Sequence, residues 1–208
     1  MKRRKISLIN YGMGNLSSLR NAFNYLGASV NIISKAEQIE KSAILILPGV
    51  GSFKKAMKII KKKNIDEAIN NSIKKGNFIF GICLGMQLLA KSSEEEKLTQ
   101  GLKIIKNSAK KFTLRETKNK TIPHVGFNSV KFNKNDRLYN GIKNSSDFYF
   151  VHSYRMLPEK NNKNFATTNY GINFLSSFNY DNIFATQFHP EKSQTNGIKL
   201  LKNFIDIT

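Results

Sequence analysis

A single thiol dominates the chemistry that this chain can offer. Cys83 is the one cysteine in 208 residues, and it stands in Phe78-Ile-Phe-Gly-Ile-Cys-Leu-Gly-Met-Gln-Leu-Leu-Ala90. Phe78-Ile79-Phe80 reads as a buried strand, and Met86 to Lys91 has the composition of a helix start. Gly81 and Gly85, two positions before and after the cysteine, would let the chain turn sharply from strand to helix. This is the logic of a nucleophile elbow with sulfur in place of oxygen. At a helix N-terminus, free N–H groups and the helix dipole favour a thiolate. The alternative for a lone cysteine is a buried, inert side chain.

A thiol nucleophile needs a base, and the base needs a group to orient it. The chain has three histidines. His189 lies in Phe188-His-Pro-Glu191, where proline pushes the preceding residue towards extended backbone. Alternate residues of an extended chain share a side, so Glu191 would hold the imidazole while His189 faces the sulfur. His124 and His152 have no carboxylate at comparable spacing, and each reads equally well as a satisfied structural histidine. Three scattered histidines and one cysteine match no common metal-ligand spacing, so no metal is expected.

These residues must be carried together by the fold. Lys5 to Asn10 reads as a first strand, ending in the glycine-rich turn Tyr11-Gly-Met-Gly-Asn15. Leu16, Leu19, Phe23 and Leu26 then recur at helical spacing, with Gly27 as a stop. Ala28 to Ser34 is a second strand. Ala43 to Leu47 is a third, apolar throughout, as strands covered on both faces are. It enters Pro48-Gly-Val-Gly51-Ser52, whose serine can cap a helix over 53–62. Ile65, Ala68, Ile69 and Ile73 mark a further helix, stopped by Gly76. Strands alternating with helices argue an α/β fold with a doubly wound, mostly parallel central sheet flanked by helices. Ligands of such sheets sit outside the carboxyl ends of the strands, where all three glycine-rich turns fall. That convergence favours the reactive reading of Cys83.

The second half changes character. Ser92 to Leu98 is polar and reads as a surface loop. Strand-like runs follow at Leu102–Ile105, Phe127–Phe132, Phe148–Ser153, Phe165–Tyr170, Asn173–Asn179 and Ile183–Gln187, with a hairpin-like turn at Tyr180-Asp-Asn182. Ile198, Leu201, Phe204 and Ile205 belong to a last helix. No linker or repeat interrupts the chain, so one domain over 1–208 is expected, its second half adding antiparallel strands to the same sheet and covering one edge.

Composition narrows the class. Hydrophobic residues at 40% and aromatics at 11% are those of a folded globular protein. A single cysteine excludes an internal disulfide and fits a reduced, cytoplasmic setting. Met1-Lys-Arg-Arg-Lys5 looks like the start of a signal peptide, but Ile6 to Ile9 is too short for its apolar core, and no segment is long enough to cross a bilayer. The net charge of +20, from 34 basic and 14 acidic residues, could reflect nucleic acid, an acidic substrate or a solvated surface. The lysines are spread over Lys54-Lys55, Lys61 to Lys63, Lys74-Lys75, Lys110-Lys111 and Lys160, without an aromatic-interleaved or zinc-finger pattern. A solvated surface and no nucleic-acid partner are the expectation.

Gly81-Ile-Cys-Leu-Gly-Met-Gln87 together with Gln187-Phe-His-Pro-Glu-Lys-Ser193 resembles the class I, triad-type glutamine amidotransferases. More narrowly, the chain resembles the glutaminase subunit family of imidazole glycerol phosphate synthase. Further matches are Asn10 to Asn15, Leu47 to Gly51, Pro123-His-Val-Gly-Phe-Asn128, Phe148 to Tyr154, Asn169-Tyr-Gly171 and Gly197 to Phe204. The resemblance implies that Cys83 attacks the side-chain amide of L-glutamine, that His189 moves the proton and that Glu191 orients it. It implies an oxyanion hole from the backbone N–H of Leu84 and one of Val50 or Gly51. It places Gln87, His152, Ser153 and Tyr154 around the amino-acid end of glutamine, and Asn15, Phe127 and Lys192 at a partner surface. No cofactor is implied. The chain carries no phosphate-binding loop and is too short for a synthase domain as well. The resemblance therefore implies a heterodimer with a (β/α)₈-barrel cyclase that receives ammonia. Phe127 stands where the family usually has tryptophan, which keeps apolar bulk and loses the indole N–H.

Two alternatives stand beside this reading. Paralogues of the subunit supply ammonia for amidination of bacterial surface sugars. From a different class, a basic scaffold could keep the fold without catalysis, and an inert Cys83 would mark it.

Overall fold

The computed structural model describes residues 3–158 and 165–208, so Met1, Lys2 and Lys160 lie outside the described residues. In chain order the first half forms β1 (Lys5–Ile9), α1 (Leu16–Tyr25), β2 (Ser29–Ile33), α2 (Ala36–Glu40), β3 (Ile44–Leu47), α3 (Phe53–Lys62), α4 (Ile65–Lys74), β4 (Phe78–Ile82) and α5 (Leu84–Leu88). Two-residue strands β5 (Ser92–Ser93) and β6 (Thr99–Gln100) follow, then β7 (Ser108–Lys111), α6 (Leu114–Thr117), β8 (His124–Val130), β9 (Ser146–His152) and β10 (Tyr154–Arg155). The chain closes with β11 (Phe165–Tyr170), β12 (Ile172–Tyr180), β13 (Ile183–Thr186) and α7 (Gln194–Ile207).

The main sheet has the order β11-β12-β13-β4-β3-β1-β2. Its five strands from β13 to β2 pair in parallel, and β12 and β11 add antiparallel partners beyond β13. Alternate residues divide between two cores, as a period of two requires. Leu45, Leu47 and Ile79 pack towards α3 and α4, whereas Ile44, Ile46, Phe80 and Ile82 face the side of α1 and α7. Helix α3 supplies Phe53, Ala56, Met57 and Ile60 to the first core, and Ser52 Oγ caps it by accepting from Lys55 N at 3.2 Å. On the opposite face Phe204 of α7 meets Phe80 with ring centroids 4.8 Å apart. No helix among the described residues is long and apolar enough to cross a membrane.

Three expectations change. Leu102–Ile105 is not a strand: its N–H groups bond back to the Leu88, Leu89 and Ala90 carbonyls at the end of α5, with Lys103 at φ +59°. Leu102 and Ile105 are buried because the segment plugs the core there, which mimics a strand in composition. The second half extends the main sheet only through β11, β12 and β13. Strands β8 and β9 form a separate ladder joined to β11 by the bridge Lys131↔Thr167, and β10, β7, β5 and β6 form a small sheet of their own. The polar stretch after Lys91 is a surface loop only in part: Ser92 and Ser93 form β5, paired with β6, and Ser93 is fully buried.

The glycines around Cys83 act differently from the elbow expectation. Neither Gly81 nor Gly85 has positive φ, and Cys83 itself takes the turn at φ +55°, ψ −111°. The glycines allow close approach instead. A Cβ on Gly85 would overlap the Leu47 carbonyl of β3, and one on Gly81 would lie 2.9 Å from the Gly85 carbonyl oxygen. Gly85→Ala is therefore expected to destabilise the protein by about 3 kcal/mol or more, read as a lower urea midpoint. A wild-type midpoint would mean that α5 can move off β3 freely.

Candidate active site

The backbone of Cys83 is anchored while its side chain is presented. Its N–H continues the β4–β13 ladder by donating to Thr186 O at 2.8 Å, and its carbonyl accepts from Gln87 N at 3.3 Å to start α5. A residue other than glycine at this φ and ψ stores strain of order 1–3 kcal/mol. The neighbouring turn after β3 is pressed against the elbow. Tyr11, buried at the end of β1, donates to Pro48 O at 2.8 Å, and a Cβ on Gly49 would come within 2.8 Å of Leu84 Cβ. Burial and the nearby Cys83 push the Tyr11 phenol well up, so it stays a neutral donor.

A cleft of about 450 Å³ opens over the sulfur. Val50, Gly51, Leu84, Gln87, Val151, His152, Ser153, Tyr154 and His189 line it together with Cys83. The first N–H groups of a helix lack intrahelical partners, so Leu84 can offer one beside the thiol. Asn15, Phe127 and Lys192 lie outside this cleft. Asn15 caps α1 by accepting from Ser18 N at 3.3 Å. Phe127 is 49% exposed on β8 and packs edge-on against Tyr149 of β9, over whose ring Lys192 Nζ lies at 5.8 Å.

The structure distinguishes the three histidines. His189 Nδ1 meets Glu191 Oε1 at 2.8 Å, both side chains being nearly fully buried. The geometry differs from the sequence expectation: only His189 is extended, and Pro190 to Lys192 form a 3-10 turn that folds the carboxylate back onto the ring. This turn is clasped to β9, because His189 N donates to Tyr149 O at 2.9 Å while Ser193 Oγ donates to His189 O at 2.6 Å and accepts from Tyr149 N at 2.9 Å. Among the described residues His189 Nε2 makes no regular hydrogen bond, and it lies beside the Cys83 sulfur. Burial alone would push this imidazolium down, but the Cys83 sulfur and the Glu191 carboxylate outweigh it and hold the pKa well above the usual histidine range.

His124 and His152 are spoken for at both ring nitrogens. Asn128 Oδ1 accepts from Ser129 N at 2.8 Å, so its Nδ2 is the atom that donates to Asn169 O and to His124 Nε2, at 3.1 and 3.2 Å. His124 Nδ1 must then carry the proton it gives to His152 Nε2 at 3.0 Å, and His152 Nδ1 donates to Tyr154 O at 2.7 Å. Neither ring can serve as base without breaking this chain. Burial pushes His124 down to about 4 and His152 down to about 3.

Glu95 escaped the sequence reading. It lines the cleft, and its Oε2 accepts from Phe53 N at 2.7 Å while Glu96 Oε1 accepts from Ser52 Oγ at 2.9 Å. Three consecutive glutamates in a chain with 14 acidic residues were the available signal, since carboxylates suit a helix N-terminus such as that of α3. Ser52, Pro123 and Val151 also line the cleft. A nucleophile, a paired base, free backbone N–H groups and a carboxylate on the rim suit attack on the carbonyl of a small substrate that carries an ammonium group.

Two outcomes follow from this geometry. Cys83→Gly should be more stable than Cys83→Ala by about 1 kcal/mol, because glycine adopts the elbow conformation without strain; equal unfolding midpoints would mean that the turn is relaxed. The lowered pKa values of His124 and His152 mean that the unfolded chain, titrating near 6.5, binds protons first as pH falls. Stability is therefore kept above about pH 6.5 and lost on descent towards pH 4 and 3. Urea midpoints should already drop between pH 7 and pH 5, and a flat response would contradict the neutral pair.

Comparison with known proteins gives a consistent picture. The family model for glutamine amidotransferase class-I matches residues 7–207. The imidazole glycerol phosphate synthase subunit HisH of Caldanaerobacter subterraneus subsp. tengcongensis is 44% identical over 199 residues, which cover 96% of each chain. The corresponding HisH 1 subunit of Campylobacter jejuni subsp. jejuni serotype O:23/36 is 47% identical, covering 96% of this chain and 98% of its own. Among solved structures, PurLQS from Thermotoga maritima superposes with TM-score 0.75 at 15% identity, covering 99% of both chains. A glutamine amidotransferase from Thermotoga maritima gives 0.64 at 16% identity, covering 100% of this chain and 83% of that one. At these identities the structural likeness speaks for the fold.

Proposed function

The chain belongs to the class I glutamine amidotransferase family, and we propose that it is the glutaminase subunit of an imidazole glycerol phosphate synthase. It hydrolyses L-glutamine to glutamate and passes the ammonia to a (β/α)₈-barrel cyclase, with which it forms a heterodimer in the cytoplasm. One observation carries the reading: Cys83 stands at a strained elbow, facing a histidine whose other nitrogen is held by a buried carboxylate.

In this mechanism the Cys83 thiolate attacks the side-chain amide carbon of glutamine, and the carbonyl electrons move onto oxygen. The Leu84 N–H and one from Val50 or Gly51 stabilise that oxyanion; loss of one such donor costs on the order of 10²–10³ in rate. Imidazolium His189 gives its Nε2 proton to the leaving nitrogen, and ammonia departs as the thioester forms. Neutral His189 next takes a proton from water, hydroxide adds to the thioester carbon, the C–S bond breaks and glutamate leaves. Glu191 keeps Nδ1–H as the bonded tautomer and stabilises the imidazolium throughout. The free oxygen of Glu95 suits the α-ammonium of glutamine, and the Ser153-Tyr154 backbone suits its α-carboxylate.

The cleft mouth supports a docking partner. Val125 and Val151 are paired across β8 and β9 and are 55% and 37% exposed, next to Phe127 at 49%. Val50, which also lines the cleft, adds a further half-exposed apolar side chain. Relatives named as synthase subunits over nearly their whole length favour the cyclase as occupant.

The test is glutamate release from glutamine by the purified chain mixed with its cyclase and a phosphoribosyl ligand. Cys83→Ala should lower turnover by at least about 10³-fold, with the fold and partner binding retained. Turnover unchanged in that variant would sink the mechanism. A wild-type chain that stays silent with the cyclase while Cys83 remains alkylatable would point to another ammonia acceptor.

A further inference from the structure

Gln187 is fully buried at the end of β13, two residues before His189. Its Nε2 lies 3.7 Å from Cys83 Sγ, within hydrogen-bonding range for sulfur. The amide cannot be turned the other way. Its Oε1 accepts from Gln87 Nε2 at 2.9 Å, and that nitrogen also donates to Tyr154 O at 3.1 Å. A carbonyl oxygen only accepts, so Gln87 must present its NH₂, and Gln187 must present its oxygen to Gln87 and its NH₂ to the sulfur.

The same polarity is dictated from the far end. Asn128, fixed by Ser129 N and Asn169 O, donates to His124, which donates to His152, which donates to Tyr154 O. Tyr154 O thus receives His152 on one lone pair and Gln87 on the other. The buried groups from β8 to the nucleophile form one satisfied network in which every donor and acceptor role is determined. A half-satisfied buried amide would cost about 1–3 kcal/mol, so Gln187 is locked with its N–H aimed at sulfur. Val151 O also lies 4.0 Å from Sγ; as an acceptor it can bond a thiol but offers nothing to a thiolate.

We propose that Gln187 is a further catalytic residue: its side-chain N–H donates to the Cys83 sulfur and stabilises the thiolate that attacks substrate. Gln87, Tyr154, His152, His124 and Asn128 are positioning residues, which hold that donor in its one orientation. The proposal rests on Cys83 being the nucleophile and adds a side-chain donor to the sulfur, separate from the backbone N–H groups of α5. It also gives Gln87 a second duty, since both hydrogens of its amide are committed within the network and its contact with substrate must come from another part of the residue.

The chain has one cysteine, so iodoacetamide alkylation reads Cys83 alone, without glutamine or a partner. Gln187→Met keeps the length of the side chain and removes the donor. Gln187→Glu keeps the acceptor for Gln87 and turns an anionic oxygen towards sulfur. Each should slow alkylation at pH 7 by about tenfold or more, the worth of a hydrogen bond to a charged group, and should move the pH midpoint of alkylation upwards, further for Glu than for Met. Glutamine turnover should lose kcat with KM little changed. Wild-type alkylation profiles in either folded variant would overturn the proposal, and a Met variant that fails to fold leaves the Glu variant to decide. A wild-type thiol that resists alkylation up to pH 9 would instead argue against Cys83 as nucleophile.

Discussion

The contact on which this molecule turns is the approach of α5 to the carbonyl of Leu47 across Gly85. Only hydrogen fits between them, so the helix sits directly on the end of β3 and the strand-to-helix connection shrinks to one residue. Cys83 is that residue, and its backbone takes a conformation that costs a side chain about 1–3 kcal/mol. The strain is held because both sides of the turn are over-determined. On the strand side β4 pairs with β3 and β13 and Cys83 N bonds Thr186 O; on the helix side α5 is buried throughout. The same close packing brings the Pro48–Gly51 turn against Leu84, so the candidate oxyanion donors and the candidate nucleophile are set by one contact.

Electrostatics divide the buried histidines by what they touch. His189 is held beside a carboxylate and a sulfur, both of which favour its charged form. His124 and His152 stack among Phe150, Tyr170, Phe112 and Phe174 and touch each other. There desolvation wins and both stay neutral. A similar burial therefore yields one group poised to carry a proton and two that transmit only orientation. The β8–β9 ladder that holds the neutral pair also presents Val125, Val151 and Phe127 outwards. The surface proposed to meet a partner is thus the outer face of the strands whose buried side holds the Tyr154 carbonyl beside the cleft, which gives a direct physical route from docking to the site.

Charge is the property with no local expression at the site. The basic side chains among the described residues are spread over helices, strands and loops, and the ion pairs made by the lysines are exposed, such as Lys110 with Glu94 and Lys202 with Asp206. Exposed pairs of this kind contribute little to stability. The acidic residues are used more selectively, with Glu95 and Glu96 at the start of α3, Glu191 on the base and Glu116 on buried Arg155.

By itself the sequence determined the parallel half of the fold and singled out Cys83, His189 and Glu191, which the structure brings side by side. Apolar runs of four or five residues ending in glycine-rich turns are local signals, and so are a lone cysteine between glycines and a histidine followed two residues later by glutamate. It did not determine how the second half pairs. Leu102 to Ile105 has the composition of a strand, yet its N–H groups find the free carbonyls of α5, a choice made by whichever acceptors lie nearby in space. Nor could spacing show that Gly85 serves proximity and Cys83 the turn, because a missing Cβ looks the same for either purpose. Glu95 and Gln187 became site residues only when the chain folded, one 12 residues from the nucleophile and the other 104. Hydrogen bonds between residues so far apart are decided by tertiary packing, which alone brings their donors and acceptors within 4 Å.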